Sequence, residues 1–286
     1  METEELKTPC DICLEEKCGG KHDCNCKTCK LVSECYRHLH PTIRITNRCT
    51  QECSHCCFSS SPKSNIMMSV EQSEKIAQFL KNNNIMSANL MGGEFFCNPN
   101  WFEILSNFLN VVKVARLVTN GDWVKSDSVK EKLTEFVSLY KNKIHFSISK
   151  DKWHTNKNVD EAAKFFENLG VKYNVATEEE TKDESIVPVG RSMFTYNIFS
   201  AFNCYCHNPK QKYSFLIDEE GFIYKCGFGI LKYADIYDYL DGGFNKRFKE
   251  FNSKFYSIFI SNCRSCANFA MCNKSKDGLS LTVKTN

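Results

Sequence analysis

Three cysteines in one short stretch, Arg44 to Phe58 (RITNRCTQECSHCCF), are the residue types best suited to chemistry. Cys49, Cys53 and Cys56 have the spacing C-x3-C-x2-C. Thiolates ligate both iron–sulfur clusters and zinc. A cubane [4Fe–4S] cluster takes one ligand per iron, so three cysteines leave one iron open to a small molecule. That makes a reaction site rather than an electron wire. Structural zinc calls for four ligands, and His55 would have to supply the fourth from inside a tight loop. The spacing favours the cluster and keeps zinc as the alternative. The alternation Ile43-Arg44-Ile45-Thr46 just ahead predicts a strand, so the triplet sits on the loop leaving a strand end.

Four further stretches recur at intervals that suit strand–helix units. Met91-Gly92-Gly93-Glu94 follows the apolar-rich run from Met86 to Leu90, and Val118-Thr119-Asn120-Gly121 ends another apolar run. Ile144 to Asp151 reads IHFSISKD, and Val187 to Ser192 reads VPVGRS. With the cysteine triplet, these resemble the radical S-adenosylmethionine (SAM) enzymes: the GGE motif after the second strand, TNG after the third, Ser-x-Asp at the fourth and PxGR at the sixth. The resemblance covers about Thr42 to Ser192.

It implies an α/β fold, a six-stranded, partial TIM-like (β/α)6 barrel. It implies that Cys49, Cys53 and Cys56 hold a [4Fe–4S] cluster whose open iron binds SAM. One electron then cleaves SAM to a 5′-deoxyadenosyl radical, which takes a hydrogen atom from the substrate. Gly92 and Gly93 would let backbone approach the methionyl amine, with Glu94 a nearby acidic partner. Asn120, Ser149 and Asp151 would meet the ribose or the methionine end, or serve as ordinary turn residues. Arg191 would pair with the SAM carboxylate, since a guanidinium fork suits one, or lie on the surface. His55 or Phe58 would lie near the adenine, with core packing the alternative for Phe58. Cys57 and Cys97 read as small buried thiols. No residue is singled out as catalytic acid or base.

Beyond Arg191 the pattern changes. Tyr213 to Cys226 (YSFLIDEEGFIYKC) has two alternating runs around Asp218-Glu219-Glu220-Gly221, a hairpin signal. Tyr233 to Phe251 reads as a helix interrupted at Gly242-Gly243, and Cys263, Cys266 and Cys272 follow. This resembles the small α+β SPASM/twitch appendage of radical SAM enzymes. The resemblance implies one auxiliary [4Fe–4S] cluster on Cys206, Cys226, Cys263 and Cys266, with Cys204 and Cys272 as reserve ligands. A second auxiliary cluster would call for a cysteine where Lys276 stands.

The head is dense in cysteine and poor in apolar residues, so metal must supply its stability. Cys10-x2-Cys13 with Cys26-x2-Cys29 would make zinc knuckles; Cys26-x2-Cys29-x5-Cys35 would support an iron–sulfur cluster, in a spacing repeated at Cys263-x2-Cys266-x5-Cys272. The expected organisation is therefore a metal-binding segment over 1–41, the barrel over 42–203, and the auxiliary domain with its tail over 204–286.

Within the barrel, apolar periodicity predicts helices over Ser69 to Lys81, Trp101 to Val112, Val129 to Tyr140 and Val159 to Leu169, the last stopped by Gly170. Strand–helix alternation places chemistry at the strands' C-terminal ends, where these motifs fall.

The 286 residues suit one large domain plus a small one. A net charge of +3 argues against nucleic acid or an acidic membrane surface as partner. No apolar run is long enough to span a bilayer, and METEELKTPC has no signal-peptide core. The expected setting is cytoplasmic and reducing, where 18 cysteines serve metals rather than disulfides. The family resemblance implies a flavodoxin- or ferredoxin-type electron donor. The favoured substrate is a peptide or protein side chain, as for peptide maturases. The head is too short and polar for a leader-binding winged helix, which keeps a small-metabolite dehydrogenase or epimerase as the alternative. A non-catalytic metal-binding or electron-transfer protein is the third reading.

Overall fold

The computed structural model describes residues 39–155, 157–176, 190–191, 214–225, 227, 229 and 232–251. The head cysteines, including Cys26, Cys29 and Cys35, lie outside the described residues. So do Cys204, Cys206, Cys226, Cys263, Cys266 and Cys272.

One eight-stranded sheet organises the chain. Its strands are β1 (His40–Arg44), β2 (Ser87–Met91), β3 (Val114–Thr119), β4 (Ile144–Ser149), β5 (Lys172–Ala176), β6 (Ser214–Ile217), β7 (Phe222–Tyr224) and β8 (Lys232–Asp235). The spatial order is β5-β4-β3-β2-β1-β6-β7-β8. β1 to β5 pair in parallel as consecutive neighbours, and β6 joins the other side of β1, also in parallel. β7 and β8 close the sheet as antiparallel additions. The hairpin that the sequence assigns to the appendage thus continues the barrel sheet through β1.

Helices α1 (Val70–Asn82), α2 (Trp101–Leu109), α3 (Asp127–Tyr140) and α4 (Val159–Leu169) fill the connections between the parallel strands. Parallel neighbours require such crossovers. Ser69 caps α1 by accepting from Gln72 N at 3.0 Å, with Glu71 in the first turn and Lys81 in the last, matching the helix dipole. Gly170 ends α4 in the left-handed region at φ +61°.

Alternate strand residues go to different environments. Ile43, Ala88, Leu90, Ala115, Leu117, Phe146 and Ile148 are buried in one core with Ile76, Phe79 and Leu80 of α1, Leu105 and Phe108 of α2, Phe136 of α3 and Phe166 of α4. The intervening positions are largely polar: His40, Thr42 and Arg44 on β1, Ser87 and Asn89 on β2, Arg116 on β3. They pair with one another, as in His40 Nδ1 to Ser87 Oγ at 2.8 Å and Arg116 Nη2 to Ser147 Oγ at 2.8 Å. Such alternation is what a sheet with one helix-covered face and one polar inner face requires.

The helix expected over Tyr233 to Phe251 is corrected in its first half. Residues 232–235 form β8, 236–239 make a 3-10 turn capped by the Asp235 side chain, and the helix begins only at 244. Gly242 and Gly243, at φ +106° and +85°, separate the two halves. Pairing of β8 with β7 outweighs local helical preference here. Among the described residues no helix is long and apolar enough to cross a membrane.

Candidate functional site

The chain leaves β1 extended. Ile45 N donates to Met91 O at 2.9 Å and Met68 N to Ile45 O at 2.8 Å, so this stretch runs between β2 and the segment returning to α1. Asn98, buried, donates through Nδ2 to Ile45 O and Met68 O and ties both in place. The cysteine loop then has almost no regular structure of its own. It is held by groups from elsewhere in the chain.

The GGE stretch grips it from one side. Gly93 N donates to Thr46 O and Glu94 N to Arg48 O, each at 2.8 Å. A Cβ on Gly93 would lie 2.5 Å from Arg48 O and 2.9 Å from Cys49 Cβ, so only glycine permits this approach. Glu94 turns inward. Its carboxylate accepts from Thr119 Oγ1 at 2.8 Å, Asn120 N at 2.7 Å and Phe96 N at 3.4 Å, joining the ends of β2 and β3. Burial pushes its carboxyl up to about 7 against the pull of those hydrogen bonds.

The TNG stretch grips the loop from a second side. Asn120 donates through Nδ2 to Thr50 Oγ1 at 2.9 Å and to Cys49 Sγ at 3.7 Å. Next to it, Asp122 accepts from Thr50 Oγ1 at 2.8 Å and Gln51 Nε2 at 2.9 Å, and through its other oxygen from Asn158 Nδ2 at 2.7 Å. Burial raises the Asp122 carboxyl, but these bonds and Lys125 outweigh it and hold the group below the usual carboxylate range. Gly121, at φ +83°, makes the turn that places Asp122 there.

Two further grips complete the bracket. Past β4, Thr155 N donates to Gln51 Oε1 at 3.0 Å. Arg191 donates through Nη1 to Cys53 O at 2.7 Å and through Nη2 to Ser60 O at 2.6 Å, and Arg191 N donates to Cys56 O at 3.0 Å. Gly190, at φ +63°, packs so closely that a Cβ would fall 2.3 Å from Cys57 O.

Polar atoms converge on the three sulfurs. Gln51 N donates to Cys49 Sγ at 3.4 Å and Ser60 N to Cys56 Sγ at 3.3 Å, and Cys53 Sγ meets Gln51 Oε1 at 3.2 Å. Burial pushes the Cys49 thiol up to about 12 and that of Cys53 to about 11. A metal bound by these thiols would displace their protons. Among the described residues, the one group of three ligand-type side chains whose donor atoms all lie within 4.8 Å of one another is His55, Asp151 and His154.

The His55–Asp151–His154 group is occupied internally. Asp151 Oδ1 pairs with His154 Nδ1 at 2.7 Å and accepts from Trp153 N and His154 N at 3.0 Å each. His55 Nδ1 is buried without a hydrogen-bond partner, its ring 4.8 Å from that of His154. Burial, with the neighbouring His154, lowers its pKa to about 4, so the ring is neutral.

Cys49, Cys53, Cys56, Gly92, Gly93, Asn120 and Ser149 all line one cavity of about 210 Å³, with His55, Phe58 and His154. Of the other residues singled out in sequence, Glu94 and Asp151 spend their carboxylates on protein partners, and Arg191 uses two guanidinium nitrogens on the loop's carbonyls. The sequence reading passed over Gln51, Asp122 and His154. Asp122 follows TNG directly, and Gln51 lies between the first two cysteines, so position within a motif was the available signal.

Residues 43–175 match the family model described as the Radical SAM superfamily. The matched stretch, just under half of the chain, is a radical SAM domain, and the cofactors of such domains are SAM and a [4Fe–4S] cluster. Over 113 residues it is 36% identical to the antilisterial bacteriocin subtilosin biosynthesis protein AlbA of Bacillus subtilis (strain 168), covering 40% of this chain and 24% of that protein. Over 171 residues it is 29% identical to the putative peptide biosynthesis protein YydG of the same organism, covering 55% of this chain and 52% of that protein. The chain thus spans about a quarter and about half the length of the curated relatives it matches. The crystal structure of BtrN in complex with AdoMet and 2-DOIA superposes with a TM-score of 0.53 at 12% identity, covering 84% of this chain and 96% of that one. This likeness supports the fold, the partial β/α barrel expected from the motifs.

Proposed function

We propose that the protein is a radical SAM enzyme that modifies a peptide or protein side chain. The observation that carries this reading is the cysteine loop itself. Three thiols line one cavity with Gly92, Gly93 and Asn120, on a loop bracketed from the ends of β2, β3 and β4. Cys49, Cys53 and Cys56 would hold the [4Fe–4S] cluster and leave one iron for SAM. A cluster held there would supply the single electron that splits SAM into methionine and the 5′-deoxyadenosyl group used for hydrogen abstraction.

The chain's own residues orient and enclose. Gly92 and Gly93 supply backbone at the cavity wall, Asn120 and Ser149 supply polar contacts, and Phe58 and Met91 exclude water. Glu94, Asp151 and Arg191 act one layer back, by holding the residues that line the wall. The peptide substrate is supported by the two relatives, whose names place them in bacteriocin and peptide biosynthesis. A flavodoxin- or ferredoxin-type donor would supply the electron, in the cytoplasm. The auxiliary cluster on Cys206, Cys226, Cys263 and Cys266, the metal site of the head, and the division into 1–41, 42–203 and 204–286 belong to the same proposal.

The test is 5′-deoxyadenosine release by anaerobically reconstituted, reduced protein. Changing Cys49, Cys53 and Cys56 together to Ala is expected to abolish it; release that survives would sink the assignment. Mass spectrometry of candidate peptides after turnover tests the substrate class, and modification confined to a small metabolite would favour the dehydrogenase or epimerase.

A further inference from the structure

The end of β1 and the tip of the β6–β7 hairpin are joined by a side-chain device that also reaches the cavity. Arg44 Nε donates to Glu219 Oε1 at 2.9 Å and Nη2 to Oε2 at 2.8 Å, a two-pronged pair across 175 residues of chain. The Glu219 side chain is only 2% exposed and that of Arg44 17%, so the fork is largely withdrawn from water. The same guanidinium lies 4.7 Å from the centre of the Phe58 ring. Phe58 lines the cavity and directly follows Cys56-Cys57.

We propose that Arg44, locked by Glu219, is a positioning residue that sets Phe58 as a wall of the SAM cavity, so that the hairpin governs how tightly SAM is held. This rests on the reading that SAM occupies that cavity. Phe58 stands on a loop whose next residue, Ser59, has φ +53°, and loop geometry alone does not orient the ring. A cation held over one face does. A free arginine side chain samples many rotamers, whereas a bidentate carboxylate fixes the guanidinium plane. Glu219 is fixed in turn, because Asp218 closes the hairpin by accepting from Glu220 N and Phe222 N. The device therefore transmits the hairpin's position to a residue beside the cluster loop.

The experiment uses the holoprotein with its clusters built anaerobically and SAM itself as probe, reading the SAM dissociation constant by calorimetry and stability by thermal melting. F58A is expected to weaken SAM about tenfold and R44M about fivefold, the scale of one cation–π contact. The double variant R44M/F58A is expected to bind no worse than F58A alone, because Arg44 acts through that ring. The paired change R44M/E219Q removes both buried charges and so avoids stranding one of them. It should melt near the parent yet keep the fivefold loss. Multiplying effects of R44M and F58A, or parent-like affinity in R44M/E219Q, would overturn the proposal while the parent's SAM binding stands. A parent that does not bind SAM would overturn the functional reading and this inference with it.

Discussion

β1 and β6 lie side by side in the sheet, run the same way, and end in loops built on opposite principles. The loop after β6 is a tight turn closed from within: Asp218 accepts from Glu220 N at 3.1 Å and Phe222 N at 2.9 Å, and Gly221 takes φ +89°. The loop after β1 carries the three cysteines and is held from outside, by Gly93, Asn120, Asp122, Thr155 and Arg191. A turn that needs only to reverse the chain can be made from four neighbouring residues. The loop whose three thiols line one cavity is not shaped by its few local bonds alone. It is shaped by the ends of several strands instead, and the site becomes as rigid as the sheet beneath it.

The largest expected effect strikes the outside grip. In G93A the new Cβ would meet Arg48 O at 2.5 Å, a backbone atom that cannot move without carrying Cys49. Loss of most SAM-site iron and destabilisation by about 4 kcal/mol are expected, measured by iron content and thermal melting. Full iron occupancy would mean the loop holds itself together and the contrast is false.

Next comes pH. Burial holds the Glu94 carboxyl up at about 7, above the 4.5 of a free glutamate, so the native state holds the proton longer than the unfolded chain does. Stability from this group is thus greatest at low pH and falls as pH rises from about 4.5 through about 7, by up to about 3 kcal/mol. Melting curves between pH 5 and 8 should show this decline in the parent and its absence in E94Q. An identical pH slope in both would show that another group is responsible.

A matched pair sharpens the comparison directly. D122A and D218A each remove a buried or half-buried carboxylate acceptor, and each should cost about 2 kcal/mol. Only D122A should also lower cluster occupancy, because only Asp122 holds the cysteine loop, through Thr50 and Gln51. Equal iron loss in both variants would erase the distinction. The smallest effect is expected for S69A, which removes the α1 cap for about 1 kcal/mol and leaves iron content unchanged.

The parallel strands and their helices were legible in the sequence because each is specified by a local period. β3 and β4 lie where apolar runs end in TNG and Ser-x-Asp, and Ser69, by its hydroxyl, and Gly170, by its left-handed backbone, mark helix ends. The helix expected from Tyr233 failed because cross-strand pairing with β7, unseen in a local window, decides its first half. The roles of Glu94, Asp151 and Arg191 were the least legible part of the site. A carboxylate or guanidinium inside a cofactor motif can face the cofactor or face the protein, and motif spacing is the same in both cases.

By itself, then, the sequence determined the spacing of the three cysteines and the order of strand, loop and helix, since these depend on residues within a turn or two of each other. Only the tertiary structure decided what holds the cysteine loop. The partners of Thr46 to Ser60 come from residues 93, 120, 122, 155 and 191, and no local rule says which strand ends will meet. Only it decided, too, that the hairpin continues the barrel sheet and that Glu219 lies under Arg44. Hydrogen-bond geometry across 175 residues is fixed by sheet register, and register is set by burying the apolar face of every strand at once.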